Sequence, residues 1–146
     1  MRVMVFGMAT KEADAESLPI DMKAKAGDFE AMGKFIEELT AAGVFVVGEG
    51  LKPSRFAKRI LMDGAKRTVT DGPFAETKEL VAGYMVWEVK SMAEALEWVK
   101  RYPNPNKGPS EVVLRPLLGL EDFNFGGDVP MAEKADWEKM SGRKKS

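Results

Sequence analysis

The spacing of apolar residues changes along the chain, and each change predicts a different element. Residues 3–8 form an apolar run with β-branched members, which predicts a first strand. A long polar connection over 10–27 follows, and we expect an extra helical turn within 18–26. From Asp28 onward, apolar residues recur every three or four positions, which predicts a helix capped by Asp28 and ended by Gly43. Gly33 lowers helix propensity, so its presence predicts close packing against a neighbour.

The second half of the chain has the shorter spacing of strands, interrupted by turn signals. The predicted elements are a strand at 44–47, a hairpin over 56–70, a strand at 80–89, a helix opened by Ser91 and ended before Pro103, and a strand at 111–118. Asp63-Gly64 between two strand-like runs is the hairpin turn. The order predicts an α+β domain with a ferredoxin-like βαββαβ plan and an inserted β-hairpin. We place this domain at 1–125 and an appendage at 126–146, with a short helix over 132–140.

Two of the predicted strands are apolar at both alternating positions. Residues 44–47 and 80–87 therefore call for cover on both faces of the sheet, whereas the two main helices are enough for one face. A second copy packed sheet to sheet covers the other face, so we expect a homodimer. The alternative is that the C-terminal segment folds back over this face, anchored by Phe123, Phe125 and Trp137.

Composition then removes several classes of function. A length of 146 residues fits one domain, and no apolar run approaches the roughly 18 residues that span a bilayer, so we expect no membrane partner. The net charge of −1 disfavours nucleic acid. The chain has neither Cys nor His, so we expect a cytoplasmic protein with no metal site and no cofactor. Any catalysis must use carboxylate, Lys, Tyr or hydroxyl groups.

Five segments resemble the DGPF, or YCII-related, family, and together they cover roughly residues 1–125. They are Asp71-Gly72-Pro73-Phe74-Ala75-Glu76-Thr77-Lys78-Glu79, the segment from Ala42-Gly43-Val44 to Gly48-Glu49-Gly50-Leu51, Val81-Ala82-Gly83-Tyr84, Glu94-Ala95 and Pro103-Asn104-Pro105. The resemblance implies a dimeric α+β barrel in a family of mostly unassigned role, whose members often lie near genes for extracytoplasmic-function sigma factors. The related YCII branch has a His-Asp pair proposed as an active site. This chain has no His, and Leu51-Lys52-Pro53 stands where relatives have Leu-His-Pro or Leu-Gln-Pro.

Two carboxylates are the catalytic candidates. Asp71, on a rigid turn beside an apolar barrel, has the setting of an acid or base, although an Asp before Gly-Pro also caps turns. Glu49 lies between two glycines at a strand end, where backbone approaches a ligand closely and a carboxylate pairs with Asp71. The alternative for Glu49 is that the two glycines serve only the geometry of the strand end and Glu49 contacts no ligand. A lone Gly-x-Gly is weak evidence for a site, because it lacks the third glycine and the following helix of a dinucleotide-binding motif.

Five further residues are ligand-binding candidates. Lys52, Arg55 and Arg59 belong to a cluster of cations suited to an anionic small molecule, or equally to a solvated hairpin face. Tyr84 offers a phenol to a pocket or packs in the core, and Arg115 points into the barrel or pairs with a carboxylate. The sequence thus favours small-molecule binding, with carboxylate-driven isomerisation or proton transfer as the compatible chemistry. The alternative is a non-catalytic regulatory or protein-interaction module.

Overall fold

The computed structural model describes residues 1–76, 79–124 and 139–140, and it has the mixed α+β composition that the sequence predicts. The chain divides into two units, residues 1–116 and residues 117–146. The elements of the first unit are β1 (Arg2–Met8), α1 (Lys11–Asp14), α2 (Met22–Ala41), β2 (Phe45–Gly50), β3 (Lys58–Asp63), β4 (Lys66–Asp71), β5 (Val81–Glu88), α3 (Met92–Val99) and β6 (Val112–Pro116), with a 3-10 turn at Ser54–Phe56.

The strands form two separate sheets. Four of them make an antiparallel sheet in the order β2-β5-β1-β6, and β3 pairs with β4 as an isolated hairpin. The hairpin turns at Gly64, which has a φ of 57° that favours glycine. Pro116 ends β6 at an edge of the sheet, where a missing backbone donor costs no ladder hydrogen bond.

The helices pack against one face of the four-stranded sheet and bury its side chains. Val3, Val5 and Trp87 project from this face and are almost fully buried, and Phe35 and Leu39 of α2 cover them. The rings of Phe35 and Trp87 meet edge to face, with centroids 6.0 Å apart. This cluster is the hydrophobic core of the first unit.

Strand alternation sends a second set of side chains to the opposite face. Antiparallel register places Glu49, Tyr84, Phe6 and Val113 in one row and Val47, Val86, Met4 and Arg115 in the next. We call these eight residues the opposite face. Most of them are apolar, as the sequence pattern of β2 and β5 predicts.

Helix α2 begins earlier than the sequence pattern indicates. Asp21, rather than Asp28, is the N-cap, and its carboxylate accepts hydrogen bonds from the backbone N–H groups of Lys23 and Ala24. Asp28 lies inside the helix, so the predicted start is wrong by about two turns. The end is as predicted, because Gly43 follows the C-cap with a φ of 72°.

Gly33 does not pack closely, which corrects a second expectation. A Cβ atom built on this glycine has no heavy atom within 4 Å, and the residue is exposed on α2. Of the predicted helix over 132–140, only residues 139–140 lie within the described part of the chain, and they are helical. The anchors Phe125 and Trp137 lie outside the described residues.

Candidate functional site

The candidate site lies at the end of the sheet where β1 leads into α1 and β2 leads into the Ser54–Phe56 turn. Three glycines stand side by side across the strands at this end, because Gly7 pairs with Gly83 and Gly83 pairs with Gly50. A side chain at Gly7 would meet the hydroxyl of Tyr102, since its Cβ would lie 3.1 Å from that oxygen. The loops beyond these glycines border a cavity that is widely open to solvent.

The cavity has a volume of about 620 Å³, which is in the usual range for small-molecule sites. Its wall combines charged, hydroxyl and apolar side chains. The lining residues are Lys11, Asp14, Ala15, Ser17, Leu18, Arg55 and Pro73. They come from α1 with the segment that directly follows it, from the Ser54–Phe56 turn and from the Gly-Pro sequence that follows β4, so three separate stretches of sequence meet here.

Asp14 is the carboxylate of this cavity, and Ser54 holds it in place. The Ser54 backbone N–H donates to Oδ1 of Asp14 at 2.7 Å, and the Ser54 hydroxyl donates to Oδ2 at 2.5 Å. Ser54 is 7% exposed and is the buried polar residue of the described core. Its Oγ also accepts from the backbone N–H of Phe74 at 3.4 Å. Both carboxylate oxygens therefore have a fixed direction.

The approach of Gly72 to the Ser54 turn explains why this position has no side chain. A Cβ atom on Gly72 would lie 1.8 Å from the carbonyl oxygen of Ser54, which is far inside van der Waals contact. The backbone N–H of Gly72 donates to the carbonyl of Ala57 at 3.0 Å. The Asp-Gly-Pro-Phe segment thus packs against the turn that carries Ser54 and completes the wall of the cavity through Pro73.

The cations near the cavity pair with aromatic rings. Arg55 and Lys52 both lie over the ring of Phe56, at 4.7 Å and 5.4 Å from its centroid, and Arg59 lies over Phe74 at 4.1 Å. Among residues 1–76 and 79–124, no carboxylate oxygen lies within 4 Å of these three cations or of Lys11. They are available to an anion.

The seven residues singled out in the sequence fall into three places. Arg55 lines the cavity, and Lys52 and Arg59 lie near it on the aromatic rings. Glu49, Tyr84 and Arg115 all lie on the opposite face, where Glu49 and Tyr84 are directly paired across the strands but Arg115 is on the far edge strand β6. Asp71 ends β4 and bonds to Nζ of Lys58 at 2.5 Å, with 72% of its side chain exposed.

Sequence reasoning missed Lys11, Asp14 and Ser54. The one signal for Lys11 and Asp14 was the length of the polar connection over 10–27, which is unusual for a compact domain and is typical of functional loops. Nothing local links Asp14 with Ser54, because they are 40 positions apart. Within the described residues, no group of three or more acidic side chains is placed to hold a metal ion.

Comparison with known proteins decides the family. The model of the YCII-related domain matches residues 1–117. The chain belongs to the YCII-related family. The resemblance of the Asp-Gly-Pro-Phe segment and its neighbours is thereby confirmed.

Two individual proteins add little about activity. An uncharacterised protein of Rhizobium meliloti (strain 1021) is 34% identical over 67 residues, which are 46% of this chain and 54% of that protein, so the chain spans about half the length of the curated relative it matches. A solved structure of 5-chloro-2-hydroxyhydroquinone dehydrochlorinase from Burkholderia phenoliruptrix, in complex with 2,5-dihydroxybenzoquinone, has a TM-score of 0.46 and 13% identity, covering 85% of this chain and all of that one. This likeness is too low to carry an argument about function.

No helix in the described ranges has the length and apolar character needed to cross a membrane.

Proposed function

We propose that this YCII-related protein binds a small molecule in the cavity beside Asp14 and that Asp14 exchanges a proton with the bound molecule. The observation that supports this proposal is a half-buried carboxylate in the wall of a cavity of about 620 Å³, with hydrogen bonds from the buried Ser54 to both of its oxygens. A carboxylate in a fixed direction at a cavity wall is the arrangement that general acid-base chemistry uses. This chemistry also suits a chain without His or Cys.

The first test blocks the cavity without touching its charges. Ala15 is an exposed lining residue, so Ala15→Trp fills the space from the side of α1. Ala31→Trp, on an exposed position of α2, is the matched control. In a thermal-shift screen of a metabolite library, we expect compounds that raise the melting temperature of the wild type and of Ala31→Trp but not of Ala15→Trp. Equal shifts in all three proteins would contradict a site in this cavity.

The second test separates Asp14 from the other carboxylates. Asp14→Asn keeps the hydrogen-bonding shape of the side chain but removes its charge and its basicity. We expect Asp14→Asn to bind the compounds from the screen and to lose any turnover of them, whereas Asp71→Asn and Glu49→Gln retain it. Asp71 and Glu49 remain our predicted alternatives, and loss of turnover in either one with full turnover in Asp14→Asn would move the proton transfer to that residue.

We also propose that the protein is a homodimer with the ferredoxin-like βαββαβ plan, in which two sheets meet through their opposite faces as a dimeric α+β barrel. The strand order β2-β5-β1-β6 supports the plan. Val47 and Val113, both on the opposite face, are exposed apolar side chains, which supports association. In such a dimer Glu49, Tyr84 and Arg115 line the space between the sheets, which is where they would reach a ligand.

The dimer is tested by the molar mass in solution. Val113→Glu places a charge on the opposite face at the edge strand β6, and Ala31→Glu adds the same charge on α2. We expect light scattering after size exclusion to give the mass of two chains for the wild type and for Ala31→Glu, and of one chain for Val113→Glu. A monomeric wild type at all accessible concentrations would refute the dimer.

A second candidate function is a regulatory module that binds a protein through the hairpin. The observation that favours it is a row of apolar side chains, Ile60, Met62 and Val69, on one face of β3 and β4, all of them more than half exposed. Such a patch on a soluble protein marks an interaction surface. Ile60→Lys is expected to abolish partner binding in cross-linking experiments while leaving ligand-induced thermal shifts unchanged.

A further inference from the structure

Among the residues that the structure describes, the two cations that line the cavity, Lys11 and Arg55, have no carboxylate partner. Asp14 lies in the same wall, where each of its oxygens accepts one hydrogen bond from Ser54 and has a second lone pair. Within residues 1–76 and 79–124, neither cation has an acidic oxygen within 4 Å. Lining a concave surface with unpaired cations concentrates positive potential there and attracts anions.

Arg55 is held in a way that leaves its donors free. The guanidinium carbon lies 4.7 Å from the centroid of the Phe56 ring, which is within the range of a cation–π contact. In the described residues, the hydrogen bonds from an arginine side chain are made by Arg67 and the arginine ion pair by Arg101, and none is made by Arg55. The N–H donors of Arg55 are therefore available to a ligand.

Lys52 adds a second positive charge to the ring of Phe56, beside that of Arg55. Its Nζ lies 5.4 Å from the Phe56 centroid, so Phe56 carries two cations at once. The positive charges of Lys52 and Arg55 repel each other because both lie over the ring of Phe56. A bound anion close to them offsets that repulsion. Phe56 is itself exposed, so the pair faces solvent and is accessible to a ligand.

The charge and polarity of the wall define the class of anion. Lys11 and Arg55 supply two positive charges and Asp14 supplies one negative charge, which leaves a net charge of one on the lining. Ala15, Leu18 and Pro73 supply apolar surface. A monoanion with an apolar body matches both features, whereas a compact polyanion would meet the Asp14 carboxylate and leave the apolar wall uncovered.

Resting on the proposed small-molecule function, we propose that the cavity is specific for a small organic monocarboxylate, whose carboxylate is held by Arg55 and Lys11 and whose apolar part packs on Ala15, Leu18 and Pro73. Arg55 binds the carboxylate through two parallel N–H donors, and Lys11 contributes a point charge. Lys52 strengthens the local field from its place on Phe56. The carboxylate thus orients the rest of the molecule toward Asp14.

The test compares three probes by isothermal titration calorimetry on the full chain at low salt. Benzoate has the carboxylate and the apolar ring, benzamide has the same shape without charge, and inorganic phosphate has charge without an apolar body. We expect benzoate to bind at least about tenfold more tightly than either of the other two, which is the size of effect expected for a charge-assisted bidentate contact.

Three charge-removing variants assign the contact. Arg55→Gln and Lys11→Gln are each expected to weaken benzoate binding by about tenfold or more while leaving benzamide binding unchanged. Lys90→Gln is the matched control, because Lys90 follows β5 at the other end of the sheet and loses the same charge. Circular dichroism and an unchanged melting temperature verify that each variant is folded.

The outcomes separate this inference from the proposed function. Equal binding of benzoate and benzamide, unaffected by the variants at Arg55 and Lys11 but lost in Ala15→Trp, overturns the carboxylate site and leaves the small-molecule cavity standing. Tighter binding of phosphate than of benzoate also overturns the monocarboxylate class. If no probe binds at millimolar concentration, the inference is wrong, and the proposed function then rests on the result of the library screen.

Discussion

The four-stranded sheet and the β3–β4 hairpin differ in both composition and environment, because half of the residues of β3 and β4 are charged whereas the sheet strands are mostly apolar. Val3, Val5 and Trp87 are almost fully buried under α2 and α3, whereas every residue of β3 and β4 is exposed. Two strands alone are marginally stable in water. The sheet thus supplies its own stability, and the hairpin depends on its turn, on polar contacts and on the place where it joins the rest of the first unit.

The contacts of the hairpin are polar and local. Gly64 allows the tight turn, and Arg67 donates to the carbonyl oxygens of Gly64 and Lys66 at 2.6 Å and 2.9 Å. Lys58 and Asp71 pair across the open end of the hairpin. Hydrophobic burial therefore sets the stability of the sheet, and backbone geometry sets the shape of the hairpin. A different kind of substitution should damage each region.

The largest expected difference is between two leucines. Leu39→Ala, at a fully buried position of α2, is expected to lower the free energy of unfolding by about 2–5 kcal/mol because it leaves a cavity in the core. Leu61→Ala, at a position of β3 that is 64% exposed, is expected to change it by less than about 0.5 kcal/mol. Urea denaturation measures both. A large loss in Leu61→Ala that grows with protein concentration would show that a second copy covers the hairpin.

Two glycine substitutions test how the hairpin is attached to the rest of the first unit. Gly72→Ala puts a methyl group against the Ser54 carbonyl and is expected to cost about 1–3 kcal/mol, since the backbone must move. Gly33→Ala on α2 meets no atom within 4 Å and is expected to stabilise the protein by up to about 1 kcal/mol. Thermal denaturation of the two variants measures the difference. A stabilising Gly72→Ala would mean that the Asp-Gly-Pro-Phe segment does not pack against the Ser54 turn.

A smaller effect on stability is expected from Tyr102, a titratable residue that packs against the hydrophobic core. Burial raises the pKa of Tyr102 above the ordinary value of 10.0. The folded state therefore holds this proton more tightly than the unfolded state, and the resulting stability is present below pH 10 and is lost as the pH rises through the folded pKa. In Tyr84→Phe, Tyr102 is the remaining tyrosine, so tyrosinate absorbance reports on it alone.

The expected midpoint of that absorbance titration lies above pH 10.0 in the folded protein. Tyr102→Phe is expected to lose less stability than the wild type at high pH, because the group that must ionise is absent. A midpoint at or below the ordinary value would show that the Tyr102 hydroxyl is reached by water, and the contrast between the two regions would then be weaker than burial indicates.

The smallest effect is expected at the hairpin ion pair. The side chains of Lys58 and Asp71 are 62% and 72% exposed, so solvent screens their attraction. A double-mutant cycle with Lys58→Met and Asp71→Asn is expected to give a coupling of less than about 1 kcal/mol that shrinks further in salt. A coupling of several kcal/mol that salt does not reduce would place Asp71 in a site shielded from water.

The sequence pattern was a good guide to the main elements, but it misplaced the start of α2 and put the extra helical turn within 18–26, whereas the short helix α1 lies at Lys11–Asp14. The period of the apolar residues identified the strands, the hairpin and both main helices, and Gly43 marked the end of α2. It misplaced the start of that helix, because Asp21 and Asp28 are equally good caps by composition. The choice of Asp21 depends on its contacts with the backbone N–H groups of Lys23 and Ala24.

The sequence by itself determined the family, the α+β class and the absence of His and Cys chemistry, because these follow from local periodicity, short motifs and composition. Only the tertiary structure decided the site. Asp14, Ser54 and Arg55 come from a short helix and a turn far along the chain, and Pro73 comes from beyond the hairpin. The local sequence pattern does not indicate which of these distant residues meet, because hydrogen bonds between remote residues form only after packing has brought their backbones together.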